Sequence, residues 1–166
     1  MTQLHFLGGC KTIGSSAYLV KENNAAVLLD FGASFNGQPT FPRLTRPQNL
    51  AVALSHAHLD HSGGLPLLFA SGSVPVYMTS ITRDLIRLLL RDMIRLSEYF
   101  LPFEKEELQR LLRRIKIVEY EEPIELSNGM NITFYDAGHI PGSANILVET
   151  KSNQILFTGD INTIDT

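Results

Sequence analysis

Short apolar runs separated by turn residues occupy both ends of the chain, and helical periodicity is confined to its middle. Gln3 to Leu7, Ser16 to Val20 and Ala25 to Asp30 read as strands. A glycine-rich turn, from Gly8-Gly9-Cys10 through Gly14-Ser15-Ser16, separates the first two, and Asn23-Asn24 makes a tight hairpin loop before the third. Phe31 to Asn49 is rich in Gly, Pro, Thr and Asn and reads as loop. Leu50 to Ser55 is a further apolar strand. Gly63-Gly64 then breaks the chain, Leu65 to Ala70 is a short helix with Pro66 near its start, and Val74 to Met78 is a strand. From Thr79 to about Arg114 the period changes. Ile81, Leu85, Leu88, Leu89, Met93 and Leu96 recur at helix spacing. A second helix runs from about Glu104 to Arg114, acids first and arginines last, as the helix dipole favours. Ile115 to Tyr120, Asn131 to Tyr135, Ala144 to Glu149 and Gln154 to Phe157 complete the strands, with a turn at Ser127-Asn128-Gly129. Strands around a helical segment at about 79–114 predict an α/β (α+β) fold with at least one mixed sheet.

The 166 residues carry a net charge of -3, and 44% are hydrophobic, which fits one soluble domain with a core. The near-neutral balance gives no bulk signature of nucleic-acid binding, for which local charge matters more. Cys10 stands alone, so no internal disulfide forms and a reducing, cytoplasmic setting is expected. No apolar run approaches a membrane span and the N-terminus lacks a secretion signal, so no membrane partner is expected.

The polar residues that break these apolar runs carry the chemistry. Three of the five histidines lie in the hexapeptide His56-Ala57-His58-Leu59-Asp60-His61, after the run Ala51 to Leu54. Asp30 closes Val27-Leu28-Leu29, His139 follows Ile132 to Tyr135, and Asp160 follows Ile155-Leu156-Phe157. If those four strands are neighbours in one sheet, their ends converge on one rim and aim the ligands at one point. Imidazole and carboxylate together suit zinc. His56 and His58, two apart in an extended segment, share a face and chelate one ion. His139 completes that site. Asp60 and His61 turn away and hold a second ion, Asp160 bridges both, and Asp30 fixes a histidine tautomer from behind. His5, alternating with apolar neighbours, reads as an ordinary strand residue.

Ser55-His56-Ala57-His58-Leu59-Asp60-His61-Ser62-Gly63-Gly64 resembles the second motif of the metallo-β-lactamase superfamily, with Asp30, His139 and Asp160 at its first, third and fourth motifs. Gly8-Gly9-Cys10 to Ile13-Gly14-Ser15-Ser16, Gly64-Leu65-Pro66 and Ala137-Gly138-His139-Ile140-Pro141-Gly142-Ser143-Ala144 resemble its β-CASP branch. That branch includes RNase J and the cleavage and polyadenylation specificity factor endonucleases with their archaeal relatives. Family members continue past the fourth motif into a β-CASP cap and supply late histidines, whereas this sequence stops at Thr166. The resemblance therefore implies that residues 1–166 are a single partial domain. It would be the first part of an αββα sandwich, without the cap and the C-terminal completion.

The resemblance further implies a zinc-dependent ribonuclease-like hydrolase, with two Zn2+ in the complete protein and RNA as its partner. The metal ligands would be His56, His58, Asp60, His61, His139 and Asp160. Asp60 would also orient the attacking water, with Asp30 in support. A thioesterase or lactonase of the glyoxalase type shares the histidine cluster, although the glycine-rich opening and Gly142-Ser143-Ala144 count against it. A third reading is a non-catalytic half that pairs with a complementary C-terminal chain or a second copy through an exposed sheet edge. Arg83, Arg87, Arg91 and Arg95 form a stripe on one helix face. It is read first as a solvated face paired locally with Asp84 and Asp92, and second as a phosphate contact for RNA.

Overall fold

Alternate apolar positions on the early strands face two different layers, and this double burial sets the architecture. The computed structural model describes residues 1–97 and 101–162; the stretch 98–100 of the expected helical segment, and Thr166, lie outside the described residues. Strands β1 (Thr2–Gly8), β2 (Ala17–Glu22), β3 (Ala25–Leu29), β4 (Leu50–Ala53), β5 (Val76–Met78) and β6 (Ile115–Ile117) form one sheet in chain order. β1 to β3 pair antiparallel, and β3 to β6 pair parallel. The second sheet has the order β10-β9-β8-β7, all antiparallel, from β7 (Ile124–Glu125), β8 (Asn131–Asp136), β9 (Ala144–Glu149) and β10 (Gln154–Phe157). The helices are α1 (Leu59–Ser62), α2 (Ser80–Leu96) and α3 (Lys105–Leu112), and Leu65–Phe69 forms a 3-10 turn that Pro66 helps to start.

Leu19, Leu28, Val52 and Met78 project from the first sheet against Phe69, Ile86, Leu90 and Leu111. Their neighbours Val20, Val27, Leu29, Ala51 and Ala53 project the other way, against Ile132, Phe134, Ile146 and Val148 of the second sheet. Each fully buried Leu, Val, Ile or Phe contributes about 1.5–3 kcal/mol, so these two interfaces hold the helix–sheet–sheet layers together. The α/β class with a mixed sheet is therefore as the sequence implies, and strands buried on both faces explain the unbroken apolar runs.

Three features differ from the sequence reading. The four strands that lead into the polar cluster do not share one sheet: β3 and β4 lie in the first, β8 and β10 in the second, with β9 between the latter two. Their ends still meet, because the sheets stack face to face and Ala144 N donates to Ser55 O across the rim at 2.8 Å. The strand expected over Ile115 to Tyr120 is split. Val118 N bonds Met78 O in the first sheet, whereas Glu121 N bonds Phe134 O in the second, so the chain changes sheets between them. Finally, α1 and β7 are too short to carry a period that a sequence could display. Among the described residues no helix is long and apolar enough to cross a membrane.

At the rim opposite the cluster, buried Glu22 joins the sheets, accepting from Thr2 Oγ1 (2.8 Å) and Lys151 N (2.9 Å). The Thr2 hydrogen bond, aided by Lys151 and opposed by burial, holds this carboxyl down to about 2. The folded value lies below the about 4.3 of an unfolded glutamate. The tie is thus fully present above that value and is lost as pH falls through about 2. Thermal unfolding should show Glu22→Gln less stable than wild type near neutrality, with the gap closing between about pH 4 and pH 2. A gap that is independent of pH would show that Glu22 is not this tie.

Candidate metal centre

The site is assembled on the backbone before any side chain is considered. Just past β3 and β4 the chain makes close contacts that leave no freedom of position. Phe31 N donates to His61 O (2.8 Å), Ala33 N to Leu59 O (2.9 Å) and Ser16 N to Asp60 O (2.9 Å). Gly32 lies so close to the Asp60 carbonyl that a Cβ there would fall 1.6 Å from the oxygen. The His139 loop is braced by Ser143, whose Oγ accepts from His139 N (3.1 Å) and Ile140 N (3.2 Å). Thr82 Oγ1 in the first turn of α2 donates to Gly142 O at 2.8 Å.

Beneath the cluster lies Asp30, fully buried and in the left-handed backbone region at φ 58°. Its carboxylate accepts from Ser55 N, Ser55 Oγ and His61 Nδ1, each at 2.7 Å. The Ser55 proton is thus committed to Asp30, so Ser55 Oγ accepts from His56 Nδ1 at 3.0 Å. Both His56 and His61 are left with bare Nε2 lone pairs facing outward.

Those lone pairs enter two adjoining groups. In one, His56 Nε2 lies 3.2 Å from His58 Nδ1, which lies 3.3 Å from His139 Nε2. Asp160 Oδ2 lies 3.6 Å from His139 Nε2 and 3.9 Å from His56 Nε2. In the other, His61 Nε2 lies 3.6 Å from Asp60 Oδ2 and 3.5 Å from Asp160 Oδ1. Asp160 therefore offers one oxygen to each group. Imidazole nitrogens crowded so closely cannot all donate to one another, and a cation is what lets such lone pairs converge. The donor set fits a divalent transition metal. Asp30 also lies near His56 and His61, but its oxygens are taken up by three donors, so it anchors rather than coordinates.

Burial, with facing His61 adding, pushes His56 down to about 4, which keeps it neutral and able to coordinate. For His61, burial opposes the charged form, but the Asp30 hydrogen bond and the charges of Asp30, Asp60 and Asp160 outweigh it and raise the pKa. The structure thus brings together all six residues that the sequence singles out, with Asp30 behind them. His5 is exposed on β1. Sequence reasoning gave no role to Ser55 or Ser143, although both lie inside the quoted motifs; a serine whose proton is committed to a buried carboxylate has no periodic signal. In the arginine stripe, Arg83 pairs with Asp84 (2.9 Å) and Arg95 approaches Asp92 (3.9 Å). Arg87 and Arg91 are exposed, without a carboxylate partner among the described residues.

Residues 11–165 match the family model of the metallo-beta-lactamase superfamily. The chain is 36% identical to RNase aCSPSF2 of Saccharolobus solfataricus, over 98% of this chain and 34% of that protein. It is also 36% identical to an RNase J-like protein of Methanocaldococcus jannaschii, over 98% of this chain and 37% of that protein. The chain thus spans about a third of the length of these curated relatives. Its fold is similar to a crystal structure of a protein of unknown function from Enterococcus faecalis, with a TM-score of 0.72 and 23% identity, covering 96% of this chain and 43% of that one.

Ser55→Ala removes one donor to Asp30 and the acceptor that orients His56. Loss of such an outer hydrogen-bond partner typically lowers metal affinity by about 10–100-fold. Competition titration with a chromogenic zinc chelator should show a loss of that size. Unchanged affinity would mean that Ser55 does not set the His56 tautomer.

Proposed function

Because the chain belongs to the metallo-beta-lactamase superfamily, we propose that it is a zinc-dependent hydrolase of RNA phosphodiester bonds, of the β-CASP type. The observation that carries this reading is Asp160, with Oδ1 3.5 Å from His61 Nε2 and Oδ2 3.6 Å from His139 Nε2. One carboxylate facing two donor groups suits a two-ion clamp for in-line displacement at phosphorus. In this reading His56, His58 and His139 would hold one ion and Asp60 and His61 the other, with Asp160 offering one oxygen to each. When bound, zinc acidifies a water toward neutral pH and neutralises charge on the phosphate oxygens. Asp60, with 34% of its side chain exposed, reaches the open cleft, where its carboxylate would orient the attacking water. Asp30 holds His61 directly, and His56 through Ser55, with Nε2 free. The similarity to proteins named as ribonucleases supports RNA as the substrate.

One observation favours a thioester or lactone substrate instead. The cleft of about 810 Å³ that includes His58 and Asp60 is walled largely by apolar side chains, among them Ile13, Phe35 and Leu89. An acyl chain would fit against those side chains.

Zinc analysis and hydrolysis assays on the purified chain separate these readings. Wild type should carry one or two zinc equivalents and cut a labelled single-stranded RNA. His58→Ala should lose zinc and at least about 100-fold in RNA cleavage, exceeding the loss of a mere outer partner. Hydrolysis of a thioester or lactone but not of RNA would overturn the nuclease reading, and equal zinc in both proteins would overturn the metal centre.

A further inference from the structure

The Asp60, His61 and Asp160 group also lines a second, smaller cleft of about 360 Å³, which Ser16 and Tyr18 line as well. Ser16 is 6% exposed, and neither its Oγ nor the Tyr18 hydroxyl has a hydrogen-bond partner among the described residues. Both are held firmly. Ser16 N donates to Asp60 O and Ser16 O accepts from Gly32 N, each at 2.9 Å, so this hydroxyl rides on the backbone that fixes Asp60. The Tyr18 ring is clamped between Phe6 (centroids 5.9 Å apart, edge-on) and Phe157 (5.1 Å, tilted). The two hydroxyls converge over Gly9, where an added Cβ would lie 2.8 Å from the Tyr18 oxygen and 3.2 Å from Ser16 Oγ.

No Lys or Arg lines this cleft, so by itself it is a poor seat for a phosphate. Apart from Asp60, His61 and Asp160, its polar side chains are the neutral hydroxyls of Thr12, Ser16 and Tyr18, each both donor and acceptor. The ribose 2′-hydroxyl has the same double character, and it is the group by which a protein tells RNA from DNA. Resting on the RNA reading above, we infer that Tyr18 and Ser16 bind the ribose 2′-hydroxyl next to the scissile phosphate and set a preference for RNA over DNA.

Tyr18→Phe isolates the hydroxyl, because it keeps the ring between Phe6 and Phe157. The test measures, by fluorescence anisotropy, the affinity of the zinc-loaded chain for an oligoribonucleotide and for its 2′-deoxy counterpart, alongside thermal unfolding. A neutral hydrogen bond corresponds to about 2- to 13-fold, so Tyr18→Phe should lower the RNA-to-DNA preference by that factor with Tm unchanged. Ser16→Ala should act in the same direction. Equal weakening for both strands, an unchanged ratio, or a wild type without preference would each overturn the inference. A preference that Tyr18→Phe erases, in a chain that cuts no RNA, would defeat the proposed function while leaving this subsite standing. RNA cleavage without any preference would do the reverse.

Discussion

One buried carboxylate holds the site together. A charge taken out of water is costly unless hydrogen bonds replace its hydration. Asp30 meets that demand with three, from Ser55 N, Ser55 Oγ and His61 Nδ1. Each bond also does something elsewhere. The bond from Ser55 N fixes where the chain leaves β4, the bond from His61 sets its tautomer, and the bond from Ser55 Oγ commits the proton that decides the tautomer of His56. Two imidazoles that lie almost side by side, with ring centroids 4.2 Å apart, are thereby aimed from below into two different groups.

His58 and Asp60 follow β4 like His56 and His61, but His139 and Asp160 arrive from the other sheet, so the full site exists only when the two sheets are docked. The Ala144–Ser55 hydrogen bond closes the rim, and Gly159 passes so near Ser55 that a Cβ would sit 2.9 Å from its Oγ. Together with Gly32 against the Asp60 carbonyl, these contacts explain why glycines flank the ligating residues: the backbone itself fills the space behind the site. The core between the sheets, Val27, Leu29, Ala51 and Ala53 against Ile132, Phe134 and Ile146, supplies the adhesion that keeps His139 and Asp160 over His58 and His61. Apolar burial and coordination geometry are thus two consequences of one docking.

Much of this was legible in the sequence. Apolar runs marked the strands, the change of period at Thr79 marked the helices, and His56, His58, Asp60, His61, His139, Asp160 and Asp30 were all singled out from strand ends and motifs. Sheet membership was not legible. A run such as Ile132 to Tyr135 looks the same whether it lies beside β4 or across from it, because burial on a neighbouring strand and burial under a facing sheet select the same side chains. The split of Ile115 to Tyr120 was hidden for the same reason. Ser55, Ser16 and Tyr18 were missed because their roles come from what is packed against them. Ser55 matters through a carboxylate 25 residues away, and Tyr18 through a glycine that leaves its hydroxyl uncovered.

Anomalous diffraction at the zinc absorption edge, from crystals of the zinc-loaded chain, tests most directly whether residues from both sheets serve one bridged centre. The geometry predicts two peaks about 3.5–4 Å apart. One should be bounded by His56 Nε2, His58 Nδ1 and His139 Nε2, the other by Asp60 and His61 Nε2, with Asp160 contributing one oxygen to each. Zinc bound away from Asp160, or with His139 outside the coordination sphere, would contradict it.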